Sequence, residues 1–149
     1  MPGASGVAIG PALPGELPDV VALLRAADLP PDGLESHLET VLVAREGGRI
    51  VGSAALELYE DSALLRSLAV DQALRGQGLG ADLTAAALRL ARDHKVRRVY
   101  LLTETAERFF PRFGFREVAR TEIPSAVKQS VEFTTVCPET APAMLLDLD

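Results

Sequence analysis

Residues 64–80 read LLRSLAVDQALRGQGLG, and this stretch decides the fold. Its first half lies in an apolar run, residues 63–70, that has the composition of a β-strand. Its second half carries Gly76, Gly78 and Gly80, and from residue 79 the apolar side chains recur at helical spacing. A strand, a glycine loop and a helix start therefore follow one another directly. This order predicts that the strand after the helix pairs in parallel with the strand before it.

The residues before this stretch, together with its own strand, predict an antiparallel meander of three consecutive strands, at 40–44, 50–59 and 63–70. Gly and Pro residues separate most of the apolar runs, and Glu60, Asp61 and Ser62 form the turn before the last of them. We predict a strand at 7–9, a helix at 15–27, a short helix at 34–38, a strand at 40–44, a hairpin turn at 46–49, and strands at 50–59 and 63–70.

The residues after it continue the alternation of helix and strand. We predict a helix at 79–93, a strand at 97–102, a short helix at 104–113 that ends at Gly114, a strand at 115–118, a helical turn at 124–129 and a strand at 143–148. The predicted fold class is mixed α/β: an antiparallel N-terminal meander, a parallel βαβ centre and flanking helices in one domain, residues 1–149.

Composition limits the kinds of partner this chain can have. Its 149 residues are 48% hydrophobic, enough for one buried core, and the mean hydropathy is +0.16. A net charge of −6 argues against general binding to nucleic acid or to anionic membrane surfaces. The lone Cys137 excludes an internal disulfide and a multi-thiolate metal site. With no signal-peptide pattern and no membrane-length apolar run, the expected location is the cytoplasm.

The glycine loop has three interpretations. It could be no more than a tight turn between strand and helix. It could be a dinucleotide loop, because Gly76, Gly78 and Ala81 satisfy G-x-G-x-x-A and Glu104 follows in the position of a ribose ligand. That interpretation implies a dinucleotide-dependent oxidoreductase, but three hairpin-like strands precede the loop here, whereas that motif normally follows the first strand of its fold. In the third, backbone N–H groups at the start of the helix hold a diphosphate.

A family resemblance supports the third interpretation. Arg75-x-x-Gly78-x-Gly80, after a strand that ends in residues 68–70, resembles the acyl-CoA signature Q/R-x-x-G-x-G/A of the GNAT superfamily of N-acetyltransferases. Ala106 followed by Phe-Gly-Phe at 113–115 is similar to the downstream helix of that superfamily. The tail, at 124–127, 132–133 and 137–138, resembles proteins labelled arsenic-resistance N-acetyltransferases.

The resemblance implies a cofactor and a set of contacts. Acetyl-CoA would be the co-substrate, its pantetheine arm pairing with the strand edge and its pyrophosphate held by the loop. The acetyl group would pass directly to the amine of a small molecule, and a backbone N–H near Ala69 or Val70 would stabilise the oxyanion. The implied cofactor-binding residues are Leu68, Ala69, Val70, Arg75, Gly76, Gln77, Gly78, Leu79, Gly80, Thr103, Ala106, Phe109, Phe110 and Arg112.

The catalytic acid and base are less defined. Where the superfamily often has an acidic tyrosine, this chain has Phe110, and where an asparagine is common it has Thr103. Thr103, Ser67, Tyr100 or a water could substitute as the acid. A chain without an acid could instead be a catalytically silent CoA-binding module. Base candidates by residue type are His37, Glu57, Glu60 and Glu104.

Arg66 is the candidate substrate-binding residue. It shares a face of its strand with Leu68 and Val70. Its guanidinium either pairs with Glu57 or Glu60 of the adjacent strand or clamps the carboxylate of an amino-acid-like amine, as the resemblance of residues 65–70 to amino-acid N-acetyltransferases implies. The expected partners are a small-molecule amine and, through the terminal strand 143–148, a second copy of the chain in a homodimer.

Overall fold

The computed structural model describes residues 6–103, 108–130, 132–133 and 141–148. These residues form two compact units. The first contains residues 6–56 and 67–90, and the second contains residues 57–66 together with the described residues from 91 onward.

The described chain alternates strands with two α-helices and several 3₁₀ turns. The strands are β1 (Val7–Pro11), β2 (Val41–Glu46), β3 (Arg49–Tyr59), β4 (Ser62–Val70), β5 (Arg98–Leu102), β6 (Arg116–Val118) and β7 (Ala143–Asp147). The α-helices are α1 (Leu17–Ala26) and α2 (Leu79–Asp93), and the 3₁₀ segments are Pro14–Glu16, Leu34–Thr40, Gln72–Leu74, Phe110–Phe113, Arg120–Glu122 and Val127–Gln129.

The seven described strands form one mixed sheet in the order β1-β2-β3-β4-β5-β7-β6. The pairs β1–β2 and β2–β3 are antiparallel, as a meander requires. The pair β4–β5 is parallel, with Ser62 opposite Arg98 and Leu64 opposite Tyr100. α2 is the helix between these two strands in the chain, so the prediction of a mixed α/β fold with a parallel centre is confirmed.

Each unit has its own apolar core. In the first unit, α1 places Val20 and Leu24, one helical turn apart, against β-branched residues Val41 and Val43 of β2. In the second unit, a cluster of buried side chains includes Leu64, Tyr100, Val118, Ile123, Val127, Ala143 and Leu145. Because Val20 and Leu24 are buried, the apolar residues of α1 recur at helical spacing, and this pattern predicted the helix from the sequence.

Gly52 lets α2 approach the sheet within the first unit. A Cβ at this position would lie 2.8 Å from Leu83 Cδ1 and 3.3 Å from Ala44 Cβ. A real Cβ essentially never lies 2.8 Å from a neighbour, so a side chain at Gly52 would force the side chain of Leu83 to move.

Element boundaries differ from the prediction in small ways. Helix α2 spans the predicted residues, whereas the predicted helix at 34–38 is a 3₁₀ segment, Leu34–Thr40, with a kink at His37. Of the predicted helix at 104–113, the structure shows a 3₁₀ segment, Phe110–Phe113, and residues 104–107 lie outside the described ranges. Neither α1 nor α2, nor any shorter helix of the described ranges, has the length and apolar content to cross a bilayer.

Candidate functional site

The loop at residues 75–80 is built on two left-handed glycines. Gly76 has φ +84° and Gly78 has φ +85°, a conformation that residues with a Cβ adopt at a cost of about 1–2 kcal/mol. Nothing lies within 4 Å of the point where a Cβ would be at either glycine. Residues 75–78 are exposed. The loop therefore leaves open space beside its backbone, directly before α2 begins at Leu79.

The start of α2 supplies hydrogen-bond donors. The first helical hydrogen bond runs from the amide of Asp82 to Gly78 O, at 3.0 Å. The amides of Leu79, Gly80 and Ala81 come before it and therefore have no partner within the helix. The helix dipole adds partial positive charge at this end. Donors and dipole together make the loop suited to an anion with several oxygens, such as a diphosphate.

Arg75 joins the loop to the end of β4. Its Nε donates to Val70 O at 3.3 Å, and the side chain is exposed. Asp71 holds the intervening turn: its Oδ1 accepts from the amide of Ala73 at 2.9 Å, and its own amide donates to Val51 O of β3 at 2.8 Å. Within the first unit, the structure thus brings the predicted residues 68–70 and 75–80 together.

A backbone kink interrupts β4 just before those residues. Ser67 has φ +60°, in the left-handed region, although it lies inside the strand. Its carbonyl oxygen accepts a hydrogen bond from the hydroxyl of Ser53 in β3, at 2.7 Å. Both side chains are buried. Ser67 was a candidate acid in the sequence, whereas Ser53 was not predicted to take part, because nothing in its spacing sets it apart from its neighbours in β3.

A buried ionic cluster lies in the second unit. Arg66 Nη1 donates to Glu57 Oε2 at 2.8 Å, and Arg66 Nε lies 3.4 Å from Glu132 Oε2. The side chains of Arg66 and Glu57 are 0% and 1% exposed. Pairing with Glu57 is one of the two alternatives that the sequence left open for Arg66. Glu132, in contrast, had no signal in the sequence that linked it to β4.

Tyr59 extends this cluster. Its hydroxyl donates to the carboxylate of Glu57. Burial and this hydrogen bond both raise the pKa of Tyr59 above its ordinary value of 10, since each disfavours the phenolate. Tyr59 therefore stays a neutral donor at physiological pH.

The other base candidates lie in different surroundings. Glu60 is exposed in the turn between β3 and β4, and His37 is half-buried in the 3₁₀ segment Leu34–Thr40. Glu104 lies outside the described residues. Of the three candidates that lie in the described residues, Glu57 is the one that is buried and bonded to an arginine.

The predicted contacts that follow β5 lie in the second unit. Thr103 is buried, and its amide donates to Pro142 O at 3.0 Å. Phe110 is buried edge-on between the rings of Phe109 and Phe115, with centroids 5.1 and 5.6 Å away. The guanidinium of Arg112 lies 4.9 Å from the centre of the Phe109 ring. Ala106 lies outside the described residues.

One sequence family, described as "Acetyltransferase (GNAT) domain", matches residues 37–117, which is more than half of the chain. This chain belongs to the GNAT acetyltransferase family. The match covers β2 to β5, the glycine loop and α2, so this GNAT chain carries the family's pattern over the region where the loop geometry was found.

Curated relatives have acetyltransferase names. An amino-acid acetyltransferase of Mycobacterium tuberculosis is 40% identical over 81 residues, which is 54% of this chain and 46% of that protein. An uncharacterized N-acetyltransferase, CT2212 of Chlorobaculum tepidum, is 28% identical over 72% of this chain and 68% of its own length.

Solved structures share the fold. Rv2747 of Mycobacterium tuberculosis, solved in complex with CoA and NLQ, superposes with a TM-score of 0.79 at 26% identity over 95% of this chain and 99% of that one. N-acetylglutamate synthase of Neisseria gonorrhoeae, complexed with coenzyme A and N-acetyl-glutamate, gives a TM-score of 0.84 at 22% identity. It covers 98% of this GNAT chain, which spans 36% of the gonococcal protein and 46% of the mycobacterial amino-acid acetyltransferase.

A metal site is not evident in this GNAT chain. Within residues 6–103, 108–130, 132–133 and 141–148, no three His, Cys, Asp or Glu side chains lie together in a way that could hold a metal ion.

Proposed function

We propose that this protein transfers the acetyl group of acetyl-CoA to the primary amine of a small, amino-acid-like molecule. The observation that carries the proposal is the pair of left-handed glycines, Gly76 and Gly78, that opens directly into α2. Family membership and the CoA-bound solved relatives support the same co-substrate.

The loop fits a diphosphate. The open space beside Gly76 and Gly78 is what a bound pyrophosphate needs, because a Cβ there would fill it. Backbone amides of residues 76–80 would hold the phosphate oxygens, and the exposed guanidinium of Arg75 would add a positive charge. Acetyl-CoA, when bound, supplies the activated thioester.

In this proposal the chain contributes position and a backbone donor. The edge of β4 at residues 68–70 would hold the pantetheine arm by main-chain hydrogen bonds. The neutral amine attacks the thioester carbonyl, the new C–N bond replaces the C–S bond, and the thiolate leaves. A backbone N–H near Ala69 or Val70 stabilises the charge on the carbonyl oxygen. The attacking ammonium first loses one proton, and the leaving sulfur gains one.

The amino-acid-like acceptor rests on the relatives and on Arg66. The curated relative from Mycobacterium tuberculosis that is 40% identical over 81 residues is named an amino-acid acetyltransferase. Rv2747 of the same organism is 26% identical to this chain, over 99% of its own length. Arg66 would bind the acceptor carboxylate. Its 3.4 Å contact with Glu132 is longer than its 2.8 Å contact with Glu57, so the substrate carboxylate would replace Glu132 while Glu57 stays in place.

A second candidate is a CoA-binding module without catalysis. The observation that favours it is Phe110, which has no hydroxyl and is packed between two other aromatic rings. Acid catalysis typically contributes ~10²–10⁴ in rate. A thiol of ordinary pKa near ~8.5 is nevertheless a tolerable leaving group, so transfer without that acid remains our first proposal. Ser67 and Thr103 are the hydroxyl groups we propose as substitutes.

The deciding experiment measures release of free thiol from acetyl-CoA with a panel of amines. The panel contains amino acids, their carboxyl-amidated forms, aminoglycosides and amine-bearing organoarsenicals; the last group tests the tail's resemblance to arsenic-resistance proteins. We expect release with a carboxylate-bearing amine and less with its amidated form. CoA binding without release for any amine would establish the silent module, and binding of NAD in place of CoA would contradict both.

Three further expectations complete the proposal. We propose that residues 1–149 act as one domain and that the protein forms a homodimer. The expectation that the terminal strand pairs across the dimer is wrong, because β7 lies between β5 and β6 in the sheet and bonds to both. The protein would work in the cytoplasm, because its lone cysteine suits a reducing compartment. Sedimentation at several concentrations tests the dimer, which predicts a mass near twice 15.8 kDa.

A further inference from the structure

The left-handed conformation of Ser67 is unusual for its place in the fold. Four described residues other than glycine have positive φ: Asp28, Glu60, Ser67 and Lys95. Three of these lie in turns between elements, where such a conformation is common, whereas Ser67 lies inside β4. Inside a strand, a residue with a Cβ holds this conformation only where the surrounding structure enforces it.

Ser53 bonds directly to the kinked backbone of β4. Its hydroxyl is fully buried, with the residue 0% exposed, and donates to the carbonyl oxygen of Ser67 at 2.7 Å. A left-handed residue turns its carbonyl out of the regular ladder of the strand, and a buried carbonyl without a partner is costly. The Ser53 hydroxyl therefore gives the kinked backbone a hydrogen bond that the extended backbone would find in the ladder.

Gly52, the residue before Ser53 in β3, also lies beside this part of β4. Its missing Cβ would lie 3.3 Å from Ala69 O, two residues beyond the kink. Ser53 thus bonds to the carbonyl oxygen of Ser67, and the absence of a side chain at Gly52 leaves room beside the carbonyl oxygen of Ala69. The segment of β4 between these carbonyls carries the amides of Leu68 and Ala69.

We propose that Ser53 is a positioning residue for acetyl transfer, acting through the backbone of Ser67. By holding the kink, it aims the amides at 68–70 that the proposed function assigns to the oxyanion and to pantetheine. Ser53 does not touch the reacting atoms in this proposal. The inference rests on the proposed function for its catalytic consequence, and on the observed hydrogen bond for its structural one.

The test separates the kink from the hydroxyl of Ser67. Ser53→Ala is measured in two backgrounds, Ser67→Ala and Ser67→Gly. Alanine at 67 keeps the Cβ that disfavours positive φ, whereas glycine adopts that conformation without the steric cost. We expect Ser53→Ala to lower kcat roughly tenfold to 100-fold with alanine at 67, because misplacement of a catalytic group by about an ångström has effects of this size. With glycine at 67 the loss should shrink to about threefold or less, since the kink then persists unaided.

Two further readouts keep a structural role distinct from a positioning role. The Kd for CoA should change less than about threefold in Ser53→Ala, because the loop amides are retained. Amide hydrogen exchange at residues 68–70 should accelerate in Ser53→Ala and return toward wild type in Ser53→Thr, which restores a hydroxyl. If Ser53→Ala does not fold, Ser53→Cys replaces it as a weak donor of similar size.

The outcomes are distinct. Equal losses of kcat in the two backgrounds, or no loss in either, would overturn the positioning role. Unchanged amide exchange would show that Ser53 does not hold the kink. If wild type binds CoA but releases thiol with no amine, the proposed transfer fails and the catalytic part of this inference fails with it, while amide exchange still decides whether Ser53 holds the backbone of Ser67.

Discussion

Arg66 Nη1 lies 2.8 Å from Glu57 Oε2, and both side chains are excluded from water. A buried guanidinium of this kind depends on its carboxylate, because either charge alone would be strongly disfavoured away from solvent. Arg66 therefore has a structural role in addition to the proposed contact with the acceptor.

Replacing Arg66 should cost much of the stability. We expect Arg66→Ala to lower the free energy of unfolding by roughly 3–5 kcal/mol, since it leaves Glu57 buried without its counter-charge. Urea denaturation at neutral pH measures this. The matched control is Arg49→Ala, which breaks an ion pair with Asp71 whose arginine side chain is 61% exposed, and which should cost under about 1 kcal/mol. Similar losses for both variants would show that the cluster is not effectively buried.

The substrate role of Arg66 is tested with a variant that keeps the charge. Arg66→Lys retains a cation but loses the planar fork that binds a carboxylate through two donors. We expect a raised KM for carboxylate-bearing amines and an unchanged KM for their amidated forms. An equal change for both kinds of amine would remove the carboxylate clamp from the proposal.

Gly78 tests the phosphate loop. In Gly78→Val the side chain would occupy the open space beside the backbone, so the Kd for CoA should rise at least about tenfold, equivalent to 1.4 kcal/mol. Calorimetric titration with CoA measures it. Gly6→Val is the control, because Gly6 has nearly the same φ, +83°, and equally open surroundings but lies before β1. A CoA affinity equal to wild type in Gly78→Val would contradict a diphosphate site at residues 75–80.

Acid titration should reveal the contribution of Glu16 to the free energy of unfolding. Hydrogen bonds from the Arg45 side chain and from the amide of Leu13 lower the pKa of Glu16 from 4.5 to about 2. The folded state therefore binds the proton less readily than the unfolded state, so this stabilisation is present above pH 4.5 and is lost as the pH falls toward 2. Urea denaturation between those limits should show a shallower loss of stability in Glu16→Gln than in wild type. Parallel curves for the two proteins would contradict the shift.

Alkaline titration should reveal the raised pKa of the buried phenols. Burial is the main cause of the raised pKa of both tyrosines of the chain, Tyr59 and Tyr100. Their folded pKa exceeds the unfolded value of 10, so they stabilise the fold below pH 10 and that contribution is lost as the pH rises further. Absorbance at the phenolate band should show delayed ionisation in the native protein and ordinary ionisation in urea. A native titration midpoint at 10 would contradict this.

Local patterns predicted the element order and the glycine loop well. Helix α2 spans the predicted residues because its apolar stripe, including Leu83 and Ala87, is buried over several turns. The segment at 34–40 was harder, since a run of one or two turns does not separate an α-helix from a 3₁₀-helix. The parallel pairing of β4 and β5 followed from the helix that connects them.

The sequence alone determined the succession of strands and helices and the position of the glycine loop before α2, because hydrophobic period and glycine chemistry act between near neighbours in the chain. Only the tertiary structure decided which carboxylates surround Arg66 and that the Ser53 hydroxyl bonds to the carbonyl oxygen of Ser67. Those contacts join residues distant in sequence. They depend on how strands pair and where the tail packs, which no local pattern of residues encodes.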